Sequence, residues 1–229
     1  MATHYNPKVI TDNITACWDA ANSKSYPGSG TTWVDISGKG HNATVTGATF
    51  ISTLNSGVWD FDGSNDYISA ADSDDFSFGS GAFTIEAWIN PTTINNKAFI
   101  AKWKSGQYEW FFGTNGNELK FAYSTNGSGM TILDSGYDMQ TGQWQHIVAT
   151  RDSSSKIRIF VNGIHRGATH SASATFNNGT EELEIANNSD ETSWRPEAKI
   201  SNVRIYKGKG FTVAEVQQNF NATRTRFGV

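Results

Sequence analysis

Three groups of residues in this chain have the types and spacing that chemistry uses. The first is acidic. Asp60, Asp62, Asn65 and Asp66 crowd oxygen donors around one glycine turn at Gly63. Calcium takes six to eight hard oxygens, carboxylates with loop carbonyls, so a calcium site is one reading of this turn. The other is that Asp62 and Asp66 accept hydrogen bonds from nearby backbone amides and simply hold the turn. The spacing is not that of an EF-hand. The second group is aromatic. Trp103, Tyr108 and Trp110 fall on two consecutive extended runs, and Trp194-Arg195 lies in a polar loop over residues 187–196. Sugar sites pair an aromatic platform with planar polar side chains, and an exposed Trp in a polar loop calls for a partner. Against this, a chain with 8 Trp must bury most of them, and Trp103 and Trp110 are candidates for the core. The third group is Glu182 and Glu184, two residues apart on one face. Glycoside hydrolysis needs two carboxylates across the scissile bond, about 5–5.5 Å apart for retention. The Asn-rich flanks make residues 182–186 read as an ordinary exposed strand, and Glu86 stands alone on its own strand. The five His form no cluster with a Ser or Cys nucleophile. Cys17, between Ala16 and Trp18, reads as a small buried residue. The expectation is a protein that is not an enzyme.

The elements that must position these groups are strands. Residues 142–167 hold the clearest pattern: an aromatic and β-branched run over 144–151, a polar turn, a second run over 156–161, then Asn162-Gly163. Asn-Gly between apolar runs marks a hairpin, because both residues tolerate positive φ. Ile157, Ile159 and Val161 share one face of the second run, and the first run is apolar on both faces, which predicts a central strand covered on both sides. Phe83, Ile85, Ala87 and Ile89 alternate cleanly against Thr84, Glu86, Trp88 and Asn90. Further short strands are expected over 13–20, 43–46, 58–61, 67–70, 98–103, 108–112, 118–123, 130–134, 182–186 and 199–206, separated by Gly- and Asn-containing turns. Near the end Thr212 and Glu215 form a capping box ahead of Val213, Val216 and Phe220, predicting one helix over 212–221. The fold class read from this pattern is all-β, a two-sheet antiparallel jelly-roll sandwich with one short C-terminal helix. Three parts follow: an N-terminal arm over 1–12, one domain over 13–222, and a C-terminal tail over 223–229.

At 229 residues the chain is long enough for one well-buried sandwich. The net charge of −4, without a basic block, argues against nucleic acid and against an anionic membrane surface. A single cysteine excludes an intrachain disulfide. The N-terminus has no apolar stretch of the kind a secretory signal carries. Together these predict folding in a reducing cytoplasm, and the Asn-x-Ser/Thr triplets read as coincidence.

The segments Phe61-Asp62-Gly63-Ser64-Asn65-Asp66-Tyr67, Phe83-Thr84-Ile85-Glu86-Ala87-Trp88-Ile89, Trp144-Gln145-His146-Ile147-Val148 and Ile159-Phe160-Val161-Asn162-Gly163, in this order, resemble the laminin-G-like (concanavalin A-like) jelly-roll family over residues 9 to 225. Asn6-Pro7-Lys8, the stretch from Ser25 to Trp33, Asp35-Ile36-Ser37-Gly38, the stretch from Ile200 to Tyr206 and Gln218-Asn219-Phe220-Asn221-Ala222 are similar to such domains in virion proteins of tailed phages. The resemblance implies a virion surface position, other virion proteins of capsid or tail as partners, and often a glycan-binding role. It also implies calcium as a candidate ion, although the family's closing strand often has Asp where Ser201 stands here. Hydrolases on this fold usually present Glu-x-Asp-x-Glu on one strand, and this chain has no such motif.

Two functions follow as expectations. The first is a non-enzymatic virion surface protein that decorates the capsid or tail and grips host or environmental glycans. It assembles in the cytoplasm as a symmetric oligomer, with Arg224 and Arg226 in the tail as docking residues. The second is a free or cell-surface carbohydrate-binding lectin module, calcium-dependent if the Asp60–Asp66 turn holds an ion.

Overall fold

The computed structural model describes residues 7–189 and 192–229. Its strands are β1 (Ile14–Asp19), β2 (Thr32–Trp33), β3 (Ala43–Thr46), β4 (Thr49–Ile51), β5 (Val58–Asp62), β6 (Tyr67–Ala70), β7 (Phe83–Pro91), β8 (Ala98–Lys102), β9 (Tyr108–Asn115), β10 (Glu118–Gly127), β11 (Thr131–Asp138), β12 (Gln145–Arg151), β13 (Lys156–Val161), β14 (Ile164–Ser171), β15 (Leu183–Ile185) and β16 (Glu197–Lys207), followed by helix α1 (Val213–Thr223). They form two antiparallel sheets. One runs β14-β13-β12-β7-β16-β5-β4, the other β11-β10-β9-β8-β15-β6-β3-β2. The long β16 uses one edge for β7 along its length. Its other edge is divided: Glu197 to Ile200 pair with β5, and Asn202 to Tyr206 pair with β1.

The period-two pattern fills the space between the sheets. Ile85, Ala87 and Ile89 of β7, Ile147 and Ala149 of β12, Ile157, Ile159 and Val161 of β13, and Val203 and Ile205 of β16 face Ile100, Trp110, Phe112, Phe121, Leu183 and Ile185 of the second sheet. Each Val, Leu, Ile or Phe among them stabilises the fold by about 1.5–3 kcal/mol through burial. The Asn162-Gly163 turn has positive φ at both residues, +52° and +76°, as its sequence requires.

The outer face of the first sheet is also covered. Val148, Phe160 and Tyr206 pack with Phe211 and Val216, beneath α1. The Phe227 ring stacks on Trp88 at 4.1 Å, and Trp88 Nε1 donates to Thr223 Oγ1 at 2.8 Å. Thr212 caps α1 in a capping box with Glu215. The described residues of the expected arm over 1–12 and tail over 223–229 both make contacts with the domain. The Ile10 amide donates to Asn219 Oδ1, and Gln218 donates to the Lys8 carbonyl, so residues 8–12 are bound to the helix. The tail continues as a tight helical turn, Arg224–Phe227, with Phe227 buried. The first six residues of the arm lie outside the described residues.

Two further sequence expectations change. Residues 182–186 were expected to form an exposed strand. Instead β15 is buried at every residue and sits between β6 and β8, because Leu183 and Ile185 point into the core. β4 was not expected, since a three-residue run shows no periodicity.

Candidate functional site

Among the described residues no α-helix covers the outer face of the second sheet, and there the aromatic residues gather. Tyr108 opens β9, and Trp103 follows β8, across the tight turn that joins them. Their rings stack at 4.2 Å with 9° between planes. Phe111 meets Trp103 edge-on at 6.2 Å and Trp194 edge-on at 5.4 Å. Trp194 arrives from the short helical turn Thr192–Trp194, which is held by Lys97 Nζ donating to the Ser193 carbonyl at 2.7 Å. With Ala98, Ala101 and Ala122 these rings make an apolar cluster separate from the main core. Above it lies a cleft of about 220 Å³.

The walls of the cleft come from the neighbouring strands. Ala122 of β10 and Ile132 of β11 are register partners, so both reach this face. Met130 is 53% exposed and Ile132 is 39% exposed, an unusual amount of open apolar surface for side chains next to three aromatic rings. Asn115, Lys120 and Asn188 supply the polar groups. Lys120 Nζ is held by Asp134 at 2.7 Å and Glu118 at 3.4 Å, and these partners raise its pKa, so it stays charged. Among the described residues that line the cleft, none is a carboxylate.

The structure therefore brings Trp103, Tyr108 and Trp194 together and leaves out Trp110 and Arg195. Trp110 turns into the core, with Nε1 donating to the Phe76 carbonyl at 2.8 Å. Arg195 turns away to Asn187 Oδ1 at 2.7 Å and the Ser64 carbonyl at 2.8 Å, and stacks over Tyr67. Phe111, Met130 and Ile132 were missed by the sequence reading. Phe111 lies in a run that is bulky at almost every position, and the other two reach the cleft only through long-range pairing.

The acidic turn does not converge on a point. Asp60 pairs with Lys199 at 3.1 Å, across the register of β5 and β16. Asp62 Oδ1 accepts from the Ser64 and Asn65 amides. Asp66 accepts from the Asp62 amide at 3.0 Å, and burial raises its pKa. Its carboxylate lies where a Cβ on Gly47 would fall, so Gly47 is fixed as glycine. Among the described residues, no group of three His, Cys, Asp or Glu side chains is arranged to hold a metal ion. Of the two readings of Asp60, Asp62, Asn65 and Asp66, the turn-holding one is what these contacts describe.

Arg226 is likewise committed to the fold. It bonds the Asn55 and Gly57 carbonyls, Asp19 Oδ1 at 2.8 Å and the Ser201 hydroxyl. Arg224 remains exposed. Glu184 is buried and accepts from Asn187 at 2.6 Å and from Ser189, an internal structural role.

A second polar centre lies under α1. Glu86 is fully buried and is held by His146 Nε2 at 3.1 Å, Arg204 at 3.1 Å, Asn219 at 3.0 Å and the Tyr206 hydroxyl at 3.3 Å. Burial alone would raise its pKa. The His146 hydrogen bond, the Arg204 charge and the Asn219 hydrogen bond outweigh that and hold it at about 2. The Arg204 guanidinium and Tyr206 phenol are both pushed up, Tyr206 mainly by burial and Arg204 by the Glu86 charge against its own burial.

A two-sheet sandwich with this strand order is a lectin-type jelly roll. The chain belongs to the concanavalin A-like lectin/glucanase superfamily, whose family description matches residues 62–217. No curated protein sequence matches it. Solved structures similar in fold include the binding domain of Paraclostridial Mosquitocidal Protein 1 (TM-score 0.75, 14% identity, 93% of this chain and 52% of that one). The botulinum neurotoxin serotype D/C binding domain is also similar (TM-score 0.69, 15% identity, 93% and 53%). A third is domain 4 of AbnA, an extracellular arabinanase from Geobacillus stearothermophilus, in complex with arabinotriose (TM-score 0.66, 16% identity, 90% and 98%). The chain thus spans about half the length of the toxin binding domains and nearly all of the arabinanase domain.

Proposed function

We propose that this chain is a non-catalytic glycan-binding domain carried on the surface of a tailed-phage virion, on capsid or tail. The observation that carries the binding role is the open cleft of Trp103, Tyr108, Phe111 and Trp194. Sugar rings present an apolar C–H face that packs on aromatic rings, while Asn115 and Lys120 at the edge offer hydrogen bonds to hydroxyls. Two similar facts support the non-catalytic part. Among the described residues the cleft lining carries no carboxylate pair, and Glu184 is bound up internally. The fold is shared with a domain solved with arabinotriose and with toxin binding domains, which is consistent with a binding role. The virion setting rests on the resemblance of the quoted segments and on a fold that needs no disulfide.

One observation favours the second reading, a free or cell-surface lectin. Arg226 and Phe227, in the tail expected to dock on other virion proteins, are inside the domain. The test is a glycan array probed with the wild-type chain and with Trp194→Ala, together with mass-spectrometric identification of the chain in purified particles. Binding that the variant loses supports the cleft; an array without signal for the wild type overturns glycan binding. Absence from particles overturns the virion setting and leaves the lectin reading standing.

A further inference from the structure

Beside the aromatic cluster, the side chains of Lys102 at the end of β8 and Glu109 on β9 are both fully buried. Lys102 Nζ lies 2.8 Å from Glu109 Oε1 and 2.5 Å from Oδ1 of Asp72, which comes from the loop after β6. Ser77 Oγ is 3.4 Å away. Two acids therefore share one base in a site sealed from water, except at Asp72, whose side chain is 36% exposed. The Gly179 amide donates to Glu109 Oε1 at 3.0 Å. Glu109 Oε2 is buried and meets no well-aligned donor. Trp110, with its Nε1 on the Phe76 carbonyl, follows Glu109 directly.

We propose that Lys102 and Asp72 join in an intramolecular amide bond, an isopeptide cross-link between β8 and the loop after β6, with Glu109 as the proton-transfer group. The reaction begins with transfer of one proton from Lys102 Nζ to Asp72 across their 2.5 Å contact, which leaves a neutral amine beside a neutral acid. The amine nitrogen attacks Cγ of Asp72. Glu109 in its acid form, the form that burial favours, gives its proton to the carbonyl oxygen and takes one from the nitrogen. One hydroxyl then leaves as water with the Glu109 proton, and the remaining hydroxyl returns a proton to Glu109. The N–C bond forms, a C–O bond breaks, one water is released and nothing is oxidised or reduced. The exposed side of Asp72 is the exit for that water. The link closes a loop from residue 72 to residue 102 in a chain whose single cysteine cannot form an internal disulfide.

Intact-mass measurement under denaturing conditions tests this, with allowance for loss of Met1. The purified chain is expected about 18 Da, one water, below its sequence mass, because condensation expels one molecule. Fragmentation of digested peptides should place the link between Asp72 and Lys102. Lys102→Arg, which keeps the charge but not the amine, and Glu109→Gln should both appear at their sequence masses, with circular dichroism confirming their folds. The wild-type mass stands on its own if a variant fails to fold. A wild-type chain at its full sequence mass after incubation at neutral pH overturns the proposal. So does a loss of water located at Asp72-Ser73 within a single linear peptide, which is succinimide formation.

Discussion

The Trp103 ring lies face to face with Tyr108, 4.2 Å apart and 9° from parallel, so the two rings act as one platform. Trp194 is different: it reaches the cleft from a short turn and meets Phe111 edge-on at 5.4 Å. Trp194→Ala is expected to weaken glycan binding about tenfold, as loss of one stacking aromatic does, with little change in the melting temperature. Trp110→Ala, by contrast, opens a cavity in the core and should cost about 3–5 kcal/mol of stability. Titration calorimetry with array hits and thermal melts of both variants check the pair; equal effects on binding and stability in both would be the wrong outcome.

Acid should act through Glu86. Its folded pKa of about 2 lies below its unfolded value of 4.5, so its stabilising contribution is complete above 4.5 and disappears as pH falls towards 2. The size is about 3 kcal/mol, from a displacement of roughly two and a half units at 1.36 kcal/mol each. Denaturant midpoints measured from pH 6 down to pH 2 should fall across that window. Glu86→Gln should start lower at pH 6 and show a flatter dependence.

Removing the tail should damage the domain. A chain ending at Thr223 loses Phe227 from its stack on Trp88 and the four Arg226 side-chain contacts, which tie together Asp19 of β1, Ser201 of β16 and the Asn55 and Gly57 carbonyls before β5. The Phe227→Ala change alone is expected to cost about 3 kcal/mol. Arg224→Ala, on the exposed side, should leave the melting temperature unchanged.

Chelation should do nothing to stability. The carboxylates of the Asp60–Asp66 turn are used on Lys199 and on local amides. Melting temperatures in millimolar calcium and in chelator are expected to coincide, and a rise with calcium would reopen this turn as an ion site.

Much of the architecture was legible because period two survives wherever one strand face is wet or differs in size from the other. β7 and β13 were readable for that reason, and the capping box by the three-residue spacing of Thr212 and Glu215. The site was half legible. Trp103, Tyr108 and Trp194 stood out by type, but Tyr108-Glu109-Trp110-Phe111-Phe112 is bulky at almost every position, so sequence could not say which rings face in. Met130 and Ile132 join them only through the pairing of β10 with β11, and no local pattern encodes that partner. The misreading of β15 has the same origin. A three-residue strand with Glu182 before it and Glu184 at its centre looks polar until its neighbours bury it.

The divided edge of β16 sets the timing of assembly. The centre of the first sheet is supplied by residues 197–207, and β1, β5 and β7 cannot be joined into one sheet until that strand has been made. During synthesis the early strands must wait with open edges, so folding is governed by contacts far apart in sequence and is expected to be slow. A nascent chain stalled before β16 should be aggregation-prone, and its protection should come from the second sheet, whose strands are complete once β15 emerges.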